Sequence, residues 1–210
     1  VFAWTDAAGV AREMSIPPTL LATALGQLDD VRRALAPDLK AVGNRLAVVG
    51  LSRADVRGSQ LELAGHVAGG RLPSVDVAAC RAACRGIAAA HRAGLLQSCH
   101  DCSDGGLAAA VAEMAIAGGL GGRIELAAVP CGPDAAGNDL AVAFGETPGR
   151  FVCEVRPADA DAFARSLGEL PWAWIGGVTA EPVLELVGTQ GGAERVAVDQ
   201  LARAWRGEAV

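Results

Sequence analysis

The sequence predicts an α+β sandwich built on a mixed sheet. Three observations lead there. Compact apolar runs of strand length alternate with stretches of helical periodicity through the first two thirds of the chain. Two strand-like runs late in the chain, residues 173–178 and 183–187, follow one another with no helix between them, which argues against a doubly wound parallel sheet. Finally, 51% of the 210 residues are apolar, enough to bury one substantial core with at most an appended piece.

Each element can be justified in order. The opening VFAW resembles the end of a strand, and the chain starts at Val1 without an initiator methionine. Residues 1–15 are therefore expected to be the end of a preceding, mostly absent subdomain, with residues 16–210 forming the principal domain. Residues 17–28 show short apolar alternation, and Asp29 and Asp30 predict a cap for a brief helix through Ala36, ended by Pro37. Residues 45–51 (RLAVVGL), bounded by Gly43-Asn44 and Ser52, read as a buried strand. Gly58, Gly65, Gly69 and Gly70 make residues 53–71 a loop with one short helical piece. Residues 74–93 form a strong helix, opened by Ser74 or Asp76 and followed by Gly94, whose apolar face is packing surface. A further helix over 107–117 is stopped by Gly118-Gly119. Strands are predicted at 124–129, 151–155, 173–178 and 183–187, and helices at 157–167 and 199–205.

Charge and hydropathy narrow the function. Eighteen basic against 24 acidic residues leave a net charge of −6, and no basic block is present to track a phosphate backbone, so nucleic acid is not an expected partner. No apolar run reaches the roughly 20 residues that span a bilayer, and no charged and apolar leader opens the chain. A cytoplasmic protein without membrane contact is the default expectation.

The most informative segment is His100-Asp101-Cys102-Ser103-Asp104-Gly105-Gly106-Leu107, where the apolar Leu95-Leu96 stretch gives way to a helix. A glycine turn entering a helix offers backbone N–H groups and the positive end of the helix dipole to a phosphate, while carboxylates can hold the accompanying Mg²⁺. Asp101 has little local structural need and is the better metal-ligand candidate. Asp104 has an alternative use as the N-cap of the next helix, and His100 reads more readily as a hydrogen-bonded structural residue than as a ligand.

The six cysteines offer another reading. Cys99 and Cys102 form C-x-x-C and Cys80 and Cys84 form C-x-x-x-C, so four thiolates could close a structural zinc site, or the C-x-x-C could be a redox pair. Reduced structural thiols are the preferred reading, because Cys84 lies on an alanine-rich helix face and no thioredoxin-like strand order precedes the C-x-x-C.

The stretch SCHDCSDGGLAAAVAEMAIAGGLGG resembles the signature of the phosphoribosylformylglycinamidine synthases, the purine-pathway members of the AIR-synthase-related superfamily. The resemblance continues through residues 16–40, the Gly58-Ser59 turn, FGETPGRFVCEV (residues 144–155) and IGGVT (residues 175–179). It implies an AIR-synthase C-terminal-like sandwich, from one AIR-synthase-like half of such an enzyme, with the second half favoured. The family converts formylglycinamide ribonucleotide, ATP and glutamine-derived ammonia to formylglycinamidine ribonucleotide, ADP and phosphate, with Mg²⁺ neutralising the transferring phosphoryl group.

Carried onto this sequence, the resemblance makes Asp101 a Mg²⁺ ligand and Ser103 a nucleotide contact, with Gly105 and Gly106 allowing close approach of backbone to the phosphate of ATP or ADP. It supplies no catalytic residue here, since nothing matches the family's catalytic histidine. Partners implied are the remainder of the same synthase, namely AIR-synthase N-terminal-like subdomains and a glutaminase; a homodimer is also compatible. The chain departs from the pattern at Arg57, where a glycine is usual, and at Thr147 and Gly149, where serines are; the roles of Glu146 and Arg150 are thereby left open. A non-catalytic zinc-stabilised or regulatory binding module is the alternative function.

Overall fold

The computed structural model describes residues 1–15 and 21–208. The chain divides into two compact units, Val1–Ala34 and Leu35–Val210. In the first, β1 (Phe2–Thr5) and β2 (Ala11–Met14) form an antiparallel hairpin with Phe2 opposite Met14. Asp6 closes the turn by accepting from the amides of Ala8 and Val10 at 3.0 and 2.9 Å, the local capture of backbone donors that favours Asp in turns. The alternating stretch at 17–28 lies partly outside the described residues, and Leu21 to Leu28 have no regular structure. The expected helix from Asp29 to Ala36 is a single 3-10 turn, Val31–Arg33, capped by Asp30. Pro37 accounts for the shortfall, because the residue before a proline is pushed out of the helical region.

The second unit is a seven-stranded sheet, ordered β4-β6-β3-β7-β5-β8-β9. Its strands are β3 (Arg45–Val49), β4 (Ser98–Asp101), β5 (Gly121–Glu125), β6 (Phe151–Val155), β7 (Trp172–Thr179), β8 (Val183–Val187) and β9 (Ala193–Ala197). All neighbouring pairs are antiparallel except β5 with β8, so the expected mixed α+β sheet is borne out. Its helices are α1 (Gln60–Leu63), α2 (Val77–Arg92), α3 (Gly106–Gly118), α4 (Asp139–Phe144), α5 (Ala160–Leu167) and α6 (Val198–Trp205).

β3 shows why the sheet is covered on both sides. Its residues alternate between faces. Leu46 and Val48 pack in the core of α3 and α4, and Ala47 and Val49 in the core of α2 and α5 with Phe163. The strand therefore reads as a continuous apolar run rather than an alternating one. Beyond the elements anticipated from sequence, the structure adds β9, which pairs with β8 at the sheet's edge, and α4, which Asn138 caps by accepting from Ala141 N at 3.1 Å.

The strand expected at 124–129 is displaced. It begins at Gly121, ends at Glu125 and runs into a 3-10 turn, Leu126–Ala128. A Cβ at Gly121 would lie 1.9 Å from the Glu181 carbonyl oxygen, so glycine is required where another backbone crosses the strand.

One carboxylate is buried to advantage. Glu154 on β6 is inaccessible to solvent and accepts from Asn44 Nδ2 at 2.7 Å, Ser98 Oγ at 2.9 Å and the amides of Lys40 and Ala41. It fastens the 40–44 turn to the β4 side of the sheet, satisfying the rule that a buried charge needs a full set of partners.

Candidate functional site

β4 is an edge strand that ends in Asp101, and α3 starts five residues later. The connecting turn is the segment singled out from the sequence. Asp101, Ser103 and Asp104 line a cleft of about 730 Å³ together with Glu146, Gly149 and Arg150. The Asp101 side chain is 60% exposed, and Ser103 Oγ donates a hydrogen bond to its Oδ2. His100 is held from both sides, with Nδ1 2.7 Å from the Asp101 carbonyl oxygen and Nε2 2.9 Å from Glu113 Oε2. That is the structural role anticipated for it.

The start of α3 differs from expectation in a way that matters. Asp104 caps nothing: Gly105 is the N-cap, in the left-handed region at φ 77°, with no side-chain cap. The anion at this helix end is Glu146, whose Oε1 accepts from Gly105 N at 2.8 Å and from Gln60 N, the first residue of α1, also at 2.8 Å. The Gly106 amide donates to the Ser103 carbonyl at 3.0 Å. The Gly105 and Gly106 N–H groups, expected to stand free for phosphate, are therefore engaged within the protein. A helix end favours a nearby negative group, and here the chain supplies its own. Gly106 is required for another reason: it has φ 67°, and a Cβ there would lie 2.6 Å from the Gly145 carbonyl oxygen.

The backbone on either side of Glu146 is held by a buried cation. Arg150 is 1% exposed; Nε donates to Thr147 O at 3.0 Å, Nη1 to Ser52 Oγ at 2.9 Å and Nη2 to Gly145 O. Its planar fork thus staples both sides of the Glu146 loop, and burial lowers its pKa from the ordinary arginine value. Behind the loop, Asp55 is fully buried with no hydrogen-bond partner on either oxygen. Its compensation is Arg71, whose Nε lies 3.2 Å from Oδ1, while the Asp55 carbonyl accepts from Glu146 N at 2.9 Å. Sequence reasoning missed Asp55 and Arg71, which carry no motif.

The cysteines do not form the cluster that zinc needs. Cys80, Cys84, Cys99 and Cys102 all line the cleft, yet among the described residues no group of three or more His, Cys, Asp or Glu side chains could hold a metal ion. All six are free thiols, which corrects the zinc alternative; a thiolate zinc site needs four convergent ligands. Burial, the largest effect, pushes the Cys102 thiol up to about 11. For Mg²⁺ the donors are better suited: Asp101, Ser103 and Asp104 present hard oxygens at an open cleft, and Mg²⁺ typically takes one or two carboxylates and completes its shell with water and phosphate oxygens.

The chain falls within a known domain family. The model of the AIR synthase related protein, C-terminal domain, matches residues 41–189, and the chain belongs to that family. Among named proteins, it is 38% identical over 168 residues to phosphoribosylformylglycinamidine synthase subunit PurL of Parafrankia sp. (strain EAN1pec), covering 78% of this chain and 21% of that one. The PurL subunit of Cutibacterium acnes is 34% identical over 197 residues, 91% of this chain and 24% of its own. The chain thus spans about a quarter or less of the curated relatives it matches. The solved structure of Thermotoga maritima PurL complexed with FGAR superposes with a TM-score of 0.72 at 18% identity, over 82% of this chain and 30% of that one, a likeness of fold. Among the described residues no helix is long and apolar enough to cross a membrane.

Proposed function

We propose that the chain is the C-terminal-type subdomain of one AIR-synthase-like half of a phosphoribosylformylglycinamidine synthase. In that role it would position a Mg²⁺-bound nucleotide at the 101–106 turn, within the ATP-dependent conversion of formylglycinamide ribonucleotide to formylglycinamidine ribonucleotide. The remaining subdomains and a glutaminase are its partners. The observation that carries the reading is the exposed Asp101 carboxylate at the end of an edge strand, facing a cleft shared with Ser103 and Asp104, in a chain of this family.

Mg²⁺, when bound, neutralises charge on the phosphoryl oxygens. The chain's own residues do the positioning. Asp101 supplies the charged oxygen, and the Ser103 hydroxyl, donating to it, orients that oxygen and lies beside the nucleotide. Gly105 and Gly106 act through conformation, letting the turn fold tightly against Gly145 so that Asp101 and Ser103 face outward.

Equilibrium dialysis of labelled ADP against the 210-residue chain, with and without Mg²⁺, tests this. Asp101→Asn keeps the shape and removes the charge, so Mg²⁺-dependent retention should fall about tenfold, equivalent to ~1.4 kcal/mol. Equal Mg²⁺-dependent retention by the variant, or none by the parent chain, would contradict the assignment.

A further inference from the structure

Cys99 on β4 and Cys153 on β6 are directly opposed in the antiparallel ladder, and their Sγ atoms lie 3.9 Å apart. Residues opposed in this way have Cα atoms about 4.5 or 5.5 Å apart, inside the range that a disulfide spans. A bond between them therefore needs side-chain rotation rather than a backbone shift. The two thiols also differ in access. Cys99 is half-buried and lines the open cleft, whereas Cys153 is sealed in the core between the sheet and α2 and α5. A reagent entering the cleft meets Cys99, and the sulfur waiting next to Cys99 is Cys153.

We propose that Cys99 and Cys153 are a dithiol that a small-molecule disulfide of the glutathione type closes into a cross-strand bridge. In the first step the Cys99 thiol loses its proton and its sulfur attacks the small disulfide, breaking that S–S bond and releasing one thiol. In the second, Cys153 loses its proton and its sulfur attacks the Cys99 sulfur, displacing the second thiol. Two protein thiols are oxidised, and the two electrons reduce one disulfide to two thiols. Because β4 is the edge strand that ends in Asp101, the bridge clamps the strand carrying the turn to its single neighbour in the sheet. The C-x-x-C spacing in the sequence pointed to Cys102 as the partner of Cys99; the fold turns attention to a residue 54 positions away.

The test is oxidation of the native chain with excess oxidised glutathione, quenching of free thiols, and non-reducing peptide mapping. Expected are an intact mass lower by two hydrogen atoms for the bridged species and a peptide pair joining Cys99 to Cys153, with amide exchange across residues 98–101 slowed. Cys84→Ser should leave this unchanged, while Cys153→Ala should stop at a stable Cys99–glutathione adduct. A bridge from Cys99 to Cys102, a Cys80–Cys84 bridge alone, a persistent Cys99 adduct in the parent chain, or no reaction at Cys99 would each overturn the proposal. The mapping of the parent chain decides the question even if the Cys153 variant fails to fold, and its outcome is independent of nucleotide binding.

Discussion

The 145–150 loop and the 101–104 turn line the same cleft and are built in opposite ways. In the loop the charged groups are engaged by the protein itself: Arg150 is buried and donates to two carbonyls and Ser52, and Glu146, half-buried at the cleft wall, accepts from Gln60 N at the start of α1 and from Gly105 N, the N-cap of α3. In the turn the charges face outward, with Asp101 and Asp104 exposed and Asp101 held by its neighbour Ser103. Inward charges must be fully partnered and so contribute to construction; outward ones cost the fold little and remain available to a ligand. The comparison separates residues whose loss should unfold the site from those whose loss should only empty it.

The largest effect should come from Arg150→Leu. It leaves the Gly145 and Thr147 carbonyls and the Ser52 hydroxyl without their buried donor, at a cost of about 3–5 kcal/mol. Thermal unfolding should show a midpoint lower by roughly 10 °C. A loss no larger than that of a surface substitution would remove the distinction between loop and turn.

Gly106→Ala should come next, at about 2–4 kcal/mol. The new Cβ combines a left-handed backbone with a contact 2.6 Å from the Gly145 oxygen. Denaturant unfolding measures the cost, and a neutral result would mean that the turn can relax away from α4.

Alkaline pH probes the buried thiol beside Arg150. Below about 9, the ordinary value for a cysteine, Cys102 is protonated whether the chain is folded or not, and its contribution is constant. As pH rises toward about 11, the folded value, the unfolded thiol ionises first, so stability is lost, by about 2–3 kcal/mol for a shift of this size. The chain has no tyrosine, and Lys40 is its one lysine, but Cys153, pushed up by its contact with Cys99 and by burial, falls on the same limb and stays in a Cys102 variant. Cys102→Ala should flatten the fall in stability between pH 9 and 11; an unchanged slope would show that the thiol is not sequestered.

Asp104→Ala should be the smallest, within about 0.5 kcal/mol as for an ordinary surface position. A capping aspartate would cost about 1 kcal/mol, and a loss of that size would restore the helix-start reading that the geometry removes.

What could be read in the sequence follows how local each signal is. β6 and β8 came out with their observed limits, and β3 within two residues, because buried strands are short apolar runs whose ends are marked by turn residues. The edge strands were harder. β4 (SCHD) mixes small, thiol and charged residues, and β9 (AERVA) is polar on an exposed edge, so neither shows a clear period. Gly121 and Gly122 look like turn residues and prove to be strand, and at Gly121 the glycine is explained only by the crossing backbone at Glu181. At the site, Asp101 stood out as a candidate because carboxylate, hydroxyl and glycine lie within six positions, while Ser103 was singled out through the family resemblance. The tie from Glu146 to Gly105 spans 41 residues and that from Arg150 to Ser52 spans 98. Spacing carries no information over such distances, and even the family resemblance gave those two residues no role.

The division between a load-carrying loop and an available turn rests finally on Asp101. The most direct measurement is the thermal midpoint of Asp101→Asn taken with and without Mg²⁺·ADP. The account predicts an unliganded midpoint within about 2 °C of the parent, the scale of a surface change of 0.5 kcal/mol, with the ligand-induced rise seen in the parent lost. A variant that unfolds early but keeps the full ligand-induced rise would contradict it, because Asp101 would then be part of the construction and not of the site.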